Sequence, residues 1–82
     1  MKITTPDMLA QALKNARTSR QLSQEATAKL VGIKQDTVSR FETRPDSSRI
    51  DTLFKILAAL ELELQVVERD RGTQGTGWSE EW

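Results

Sequence analysis

The chain contains neither cysteine nor histidine. Without cysteine there is no disulfide framework, and without both the usual ligands for structural zinc or iron are missing. The same two absences remove the commonest general base and two of the commonest nucleophile arrangements, leaving carboxylates, lysines and hydroxyls for catalysis. The composition therefore points away from an enzyme, a bound metal and a cofactor. Long apolar runs are lacking too. No stretch approaches the roughly 20 residues a membrane span needs, and Met1-Lys2-Ile3-Thr4-Thr5-Pro6 has no apolar signal core. The expectation is a cytoplasmic chain without a membrane partner. Nor does either sign of charge dominate: 12 basic residues face 12 acidic ones, unlike the strongly basic class of nucleic-acid modules.

What is present is more specific. A chain of 82 residues makes one small domain, whose single core is marginal unless a partner adds to it. Charge is balanced overall but segregated along the chain. Residues 1–60 carry ten basic and six acidic side chains, a net +4, whereas residues 61–82 carry two basic and six acidic, a net −4. Such asymmetry fits a nucleic-acid partner for the first part, and it fits two ordinarily solvated surfaces equally well, so the motifs must decide.

Thr5, Pro6 and Asp7 read as an N-cap, a first-turn proline and an acid near the positive helix end, predicting a helix from Pro6 to about Arg20. Leu9, Ala12, Leu13 and Ala16 share one of its faces. Ser23 caps a second helix over about 24–31, with Glu25 in its first turn and Gly32 supplying positive φ where it stops. A third short helix, Gln35 to Glu42, buries Val38 and Phe41. Two short helices joined this tightly suggest a helix-turn-helix. Arg44-Pro45-Asp46-Ser47-Ser48 reads as a loop. Ser48 with Asp51 approximates a capping box for a fourth helix, about 49–60, whose face Leu53, Ile56, Leu57 and Leu60 anchors the core.

From Leu62 the period changes. Leu62, Leu64 and Val66 alternate with Glu63 and Gln65, as in a half-buried strand at about 62–68. A lone strand leaves its backbone groups unpaired, and no second segment of similar quality exists, so its expected partner is the same strand of another copy. A two-fold homodimer formed this way would present two recognition helices and read a palindromic operator in double-stranded DNA. The alternative is that 61–67 simply prolongs the fourth helix, which Glu63, Leu64 and Val67 also fit.

Leu22-Ser23-Gln24-Glu25, Ala28, Gly32-Ile33-Lys34-Gln35, Thr37-Val38-Ser39 and Phe41-Glu42 together resemble the phage-repressor, or Xre-type, helix-turn-helix family over residues 8–60. With Phe54-Lys55-Ile56-Leu57, the Leu-Glu-Leu that follows and the closing Glu-Trp, the likeness extends to the HipB-type antitoxins of that family. The resemblance implies a mainly α, λ-repressor-like four-helix bundle, followed by one C-terminal strand pairing across a dimer. On it, Lys34, Gln35 and Ser39 stand where base edges are read, lysine suiting guanine and glutamine suiting adenine. Gln24 matches a position that bonds the phosphate backbone, and Thr37, Arg40 and Arg44 are further backbone contacts. The resemblance also implies that Arg17 and Glu42 form a structural ion pair inside the fold. The chain departs from the family at Thr27, where leucine is usual, and at Leu30, where a polar residue is usual.

The first 68 residues thus form the DNA-binding and dimerisation domain. Residues 69–82 form an acidic tail with too little apolar surface to fold alone. That tail holds Trp78 and Trp82, and tryptophan is a common anchor of binding energy. The resemblance implies that Trp82 docks on a HipA-like serine/threonine kinase toxin. An autoregulatory antitoxin, a stand-alone Xre-type repressor and a protein-interaction module that never touches DNA are the three functional classes compatible with these features.

Overall fold

The structure is a computed structural model that describes residues 1–69. Four α-helices and one 3-10 turn follow one another: α1 Pro6–Ser19, α2 Gln24–Val31, α3 Gln35–Thr43, the turn Pro45–Ser47, and α4 Ile50–Ala59. Their starts follow local chemistry. The Thr5 hydroxyl accepts from the Met8 amide and the Ser23 hydroxyl from the Ala26 amide, each satisfying an orphan donor of the first turn.

The helix ends share one device. Leu22 N–H donates to Arg17 O, Ile33 N–H to Ala28 O and Leu62 N–H to Leu57 O, each closing a helix with the six-residue bond of a Schellman motif. The residue before each donor is left-handed: Gln21 at φ 59°, Gly32 at φ 71° and Glu61 at φ 59°. Only Gly32 announces such an end in the sequence. Leu22 and Ile33, just beyond two of these turns, then pack on the core.

That core joins Ala10 and Leu13 of α1, Phe41 of α3, and Leu53, Ile56, Leu57 and Leu60 of α4 and its end. Val38 and Ala28 are buried where α3 and α2 meet the rest. Thr27 is fully buried too, and its hydroxyl donates to Ser23 O at 2.9 Å, so this buried polar group finds its partner at the cap of its own helix. Leu30 lies exposed.

Two local expectations change. The stretch after Arg44 is a 3-10 turn rather than an open loop, with Pro45 at its first position, where a missing N–H costs nothing. Because this turn engages Ser48, whose N–H donates to Pro45 O, the cap of α4 falls on Arg49 and has no side-chain bond. Asp51 pairs with Arg49 at 3.2 Å instead of completing a capping box. At the other end, the reversed backbone of Glu61 rules out a continued α4. Residues 62–69 run on with neither helix nor strand, and Leu62, Leu64 and Val66 are exposed. The expected strand has nothing to pair with inside one chain. Among the described residues no helix is long and apolar enough to cross a membrane. Trp78, Trp82 and the expected disordered tail beyond residue 69 lie outside the described residues.

Candidate nucleic-acid interface

The tight junction between α2 and α3 sets the geometry of the site. Gly32 turns the chain, Ile33 anchors it in the core, and Lys34 caps α3 with extended backbone, φ −85° and ψ 149°. Lys34 and Gln35 therefore stand exposed at the very start of α3, where a recognition helix meets base edges. Ser39 follows one turn later, half-buried, and its carbonyl accepts from the Thr43 hydroxyl. Thr37 is half-buried on the other flank, and Arg44 is exposed where α3 ends.

Behind this surface runs a chain of hydrogen bonds, charge-assisted where it involves Arg17 and Glu42. Arg17 on α1 meets Glu42 on α3 as a fork: Nε donates to Oε2 at 2.7 Å and Nη2 to Oε1 at 3.1 Å. Both side chains are nearly buried, 10% and 7% exposed. The remaining arm of the guanidinium, Nη1, donates to Leu22 O at 2.8 Å and so pins the turn leaving α1. Glu42 Oε1 accepts a further bond from Gln24 Nε2 at 2.9 Å, and Gln24 Oε1 in turn accepts from Gln35 Nε2 at 2.6 Å. A line of bonds thus leads from a buried ion pair, through the first residue of α2, to the first residue of α3.

The donor inventory shows what this line leaves available. A glutamine amide has two N–H donors and a carbonyl with two lone pairs. Gln35 spends one N–H on Gln24 and keeps the other together with its carbonyl, the pair needed for bidentate recognition of adenine N7 and N6. Gln24 spends one N–H on Glu42 and its carbonyl on Gln35, keeping one N–H for a phosphate oxygen. Glutamine is otherwise a side chain of many rotamers. Here it is held before any ligand arrives, which lowers the ordering cost of binding.

The bond between Gln24 and Gln35 has no signature in the sequence, since residues 11 apart on two helices show no periodic signal. Asp36 is a further residue of this surface. That carboxylate stands exposed beside Gln35, with Arg40 Nη2 3.3 Å from its Oδ2. The four-residue spacing of an acid and a base on one helix was the available clue. No group of acidic side chains capable of holding a metal occurs among the described residues.

Comparison with known proteins bears on this geometry. A family model described as Helix-turn-helix matches residues 13–67. Antitoxin HipB of Escherichia coli K12 is 43% identical over 67 residues, covering 82% of this chain and 76% of that protein. Antitoxin HigA1 of Mycobacterium tuberculosis H37Rv is 41% identical over 59 residues, 72% of this chain and 40% of that one. Among solved structures, a HipB-O4 20mer complex superposes with a TM-score of 0.82 at 43% identity, covering 83% of this chain and 96% of that chain. A HipA-HipB-O2-O3 complex superposes at 0.81 with the same identity and coverage.

Proposed function

The chain belongs to the helix-turn-helix family, and from that membership we propose that it is a dimeric DNA-binding autorepressor which also serves as the antitoxin of a HipA-like serine/threonine kinase. The observation that carries the DNA half is the bonded line Arg17, Glu42, Gln24, Gln35, which presents a preset glutamine at the head of α3. In this reading Lys34, Gln35 and Ser39 face bases, while Gln24, Thr37 and Arg44 fix register on the phosphates, a role the resemblance gives to Arg40 as well. The toxin half is supported by 43% identity to Antitoxin HipB across most of the chain and by a HipB relative solved together with HipA. The chain performs no catalysis in this scheme, and Trp82 is its anchor on the toxin.

Dimerisation follows from what a single chain leaves uncovered. Leu64 is 45% and Val66 85% exposed, and Ile50 and Phe54 on α4 are exposed as well. Residues 1–6 and 63–69 flank an open groove that Leu9, Phe41, Ile50 and Leu53 also line. Pairing residues 62–68 with the same segment of a second copy would satisfy its backbone and cover this apolar surface. A two-fold axis there gives two recognition helices and a palindromic operator.

The test is a titration of the full chain on its own promoter region at two salt concentrations, comparing wild type with Gln35→Ala. Affinity should fall steeply with salt, and the substitution should chiefly relax base preference. Absence of a promoter-selective complex at either salt overturns the repressor reading. If a kinase-fold toxin is encoded beside it, copurification with that kinase, lost on Trp82→Ala while operator binding persists, tests the antitoxin reading; an isolated gene with no such neighbour favours the stand-alone repressor.

A further inference from the structure

We infer that Arg40, steadied by Asp36, reads a guanine in the major groove and adds a base preference to those of Lys34, Gln35 and Ser39; this rests on the DNA-binding reading above. The first support is angular. Successive residues of α3 are about 100° apart around its axis, so with Val38 and Phe41 buried inward, Asp36, Arg40 and Thr43 form the ridge pointing directly away from the core. Ser39 flanks this ridge. Together they sit at spacings of three, four and seven, a set of positions that reaches base edges when a helix lies along the groove.

The second support is chemical. Asp36 and Arg40 are 76% and 65% exposed, so neither is placed by the needs of the core. A lone carboxylate on the outermost ridge would be repelled by the phosphates on both walls of the groove, and the adjacent guanidinium cancels that charge. In exchange the carboxylate takes one N–H of Arg40 Nη2, 3.3 Å away. A guanidinium has five donors in a planar fork, so the other Nη2 hydrogen and Nη1 remain for the O6 and N7 acceptors of guanine. An exposed pair of this kind is weak in water. Inside the groove, where water is displaced and competing rotamers are blocked, the same contact orients the fork. Arg40 thereby differs from a phosphate-binding arginine, which gains from a free, unpaired charge.

The experiment selects duplexes from a pool with randomised half-sites, using the full chain as wild type, Arg40→Ala, Arg40→Lys, Asp36→Ala and the double alanine variant. Wild type should enrich guanine at one position per half-site. Arg40→Ala should lower that preference by roughly 5- to 150-fold and leave other positions unchanged. Arg40→Lys keeps the charge and should not restore the preference, whereas Asp36→Ala should weaken the same position and no other. The double variant should match Arg40→Ala, the signature of one coupled unit. Melting temperatures should stay at the wild-type value throughout, since both side chains are exposed. If Arg40→Ala instead weakens every sequence alike and flattens the salt dependence, Arg40 is a phosphate contact and the inference falls. A wild-type palindrome indifferent to both residues overturns this inference alone; a wild type that enriches no sequence overturns it together with the repressor reading.

Discussion

Glu42 is the residue on which stability and the proposed recognition meet. It accepts both bonds of the Arg17 fork and also anchors Gln24, so removing it has two separable effects. Glu42→Ala leaves a nearly buried guanidinium without its counter-ion, a change that costs about 3–5 kcal/mol and should lower the melting temperature by many degrees. Replacing the pair together, Arg17→Met with Glu42→Leu, should recover most of that loss, because apolar packing commonly matches a buried ion pair in net stability. Operator discrimination should not recover, since Gln24 and therefore Gln35 have lost their anchor. Thermal denaturation beside base-substituted operator titrations checks both halves. Discrimination restored in the double variant would show that the bonded line has no part in reading DNA.

At the scale of elements, three helices end in the same left-handed turn, with different residues at the strained position. Gly32 sits at φ 71° with nothing within 4 Å of where a Cβ would be, so Gly32→Ala meets no clash and its cost is torsional, about 1–2 kcal/mol. The α2–α3 junction is the element affected. At Gln21, a non-glycine residue already bears that torsion at φ 59°. Gln21→Gly should therefore stabilise the fold, by up to about 1 kcal/mol after the greater freedom of the unfolded chain is deducted. Chemical denaturation midpoints moving in opposite directions for these two variants are the expected result, and a destabilised Gln21→Gly would contradict the torsional account.

For the molecule as a whole, the question is how a chain of zero net charge would engage DNA and a second copy of itself as proposed. The excess of basic residues lies in the part that folds into helices, and the acidic excess begins at Glu61, where the chain leaves α4. Leu64→Lys places a charge at the centre of the proposed intersubunit strand while leaving the helical core untouched. Sedimentation should show the dimer dissociating at concentrations where wild type stays paired, with operator affinity falling because two half-sites are no longer bound as one. An unchanged dimer would move the interface away from residues 62–68.

Much of this was written in linear order. Three- and four-residue apolar spacing, the Thr5 and Ser23 caps and Gly32 are local signals, and the helices they forecast occupy 6–19, 24–31, 35–43 and 50–59. Local propensity decides such elements because each is built from contacts a few residues apart. It could not decide the start of α4, where a proline-led 3-10 turn displaces the expected Ser48 cap, nor the reversals at Gln21 and Glu61, where the hydrogen bonds closing a helix outweigh the strain on a side chain. Least legible of all was the line from Arg17 through Glu42 and Gln24 to Gln35. Its members come from three helices and up to 25 residues apart in sequence, and only the packing of those helices brings their side chains within hydrogen-bonding distance. The sequence by itself determined which segments are helices and which side chains offer the chemistry proposed for recognition; the tertiary structure alone decided which of those residues hold one another, because hydrogen bonds between distant residues exist only once the core has set the helices in place.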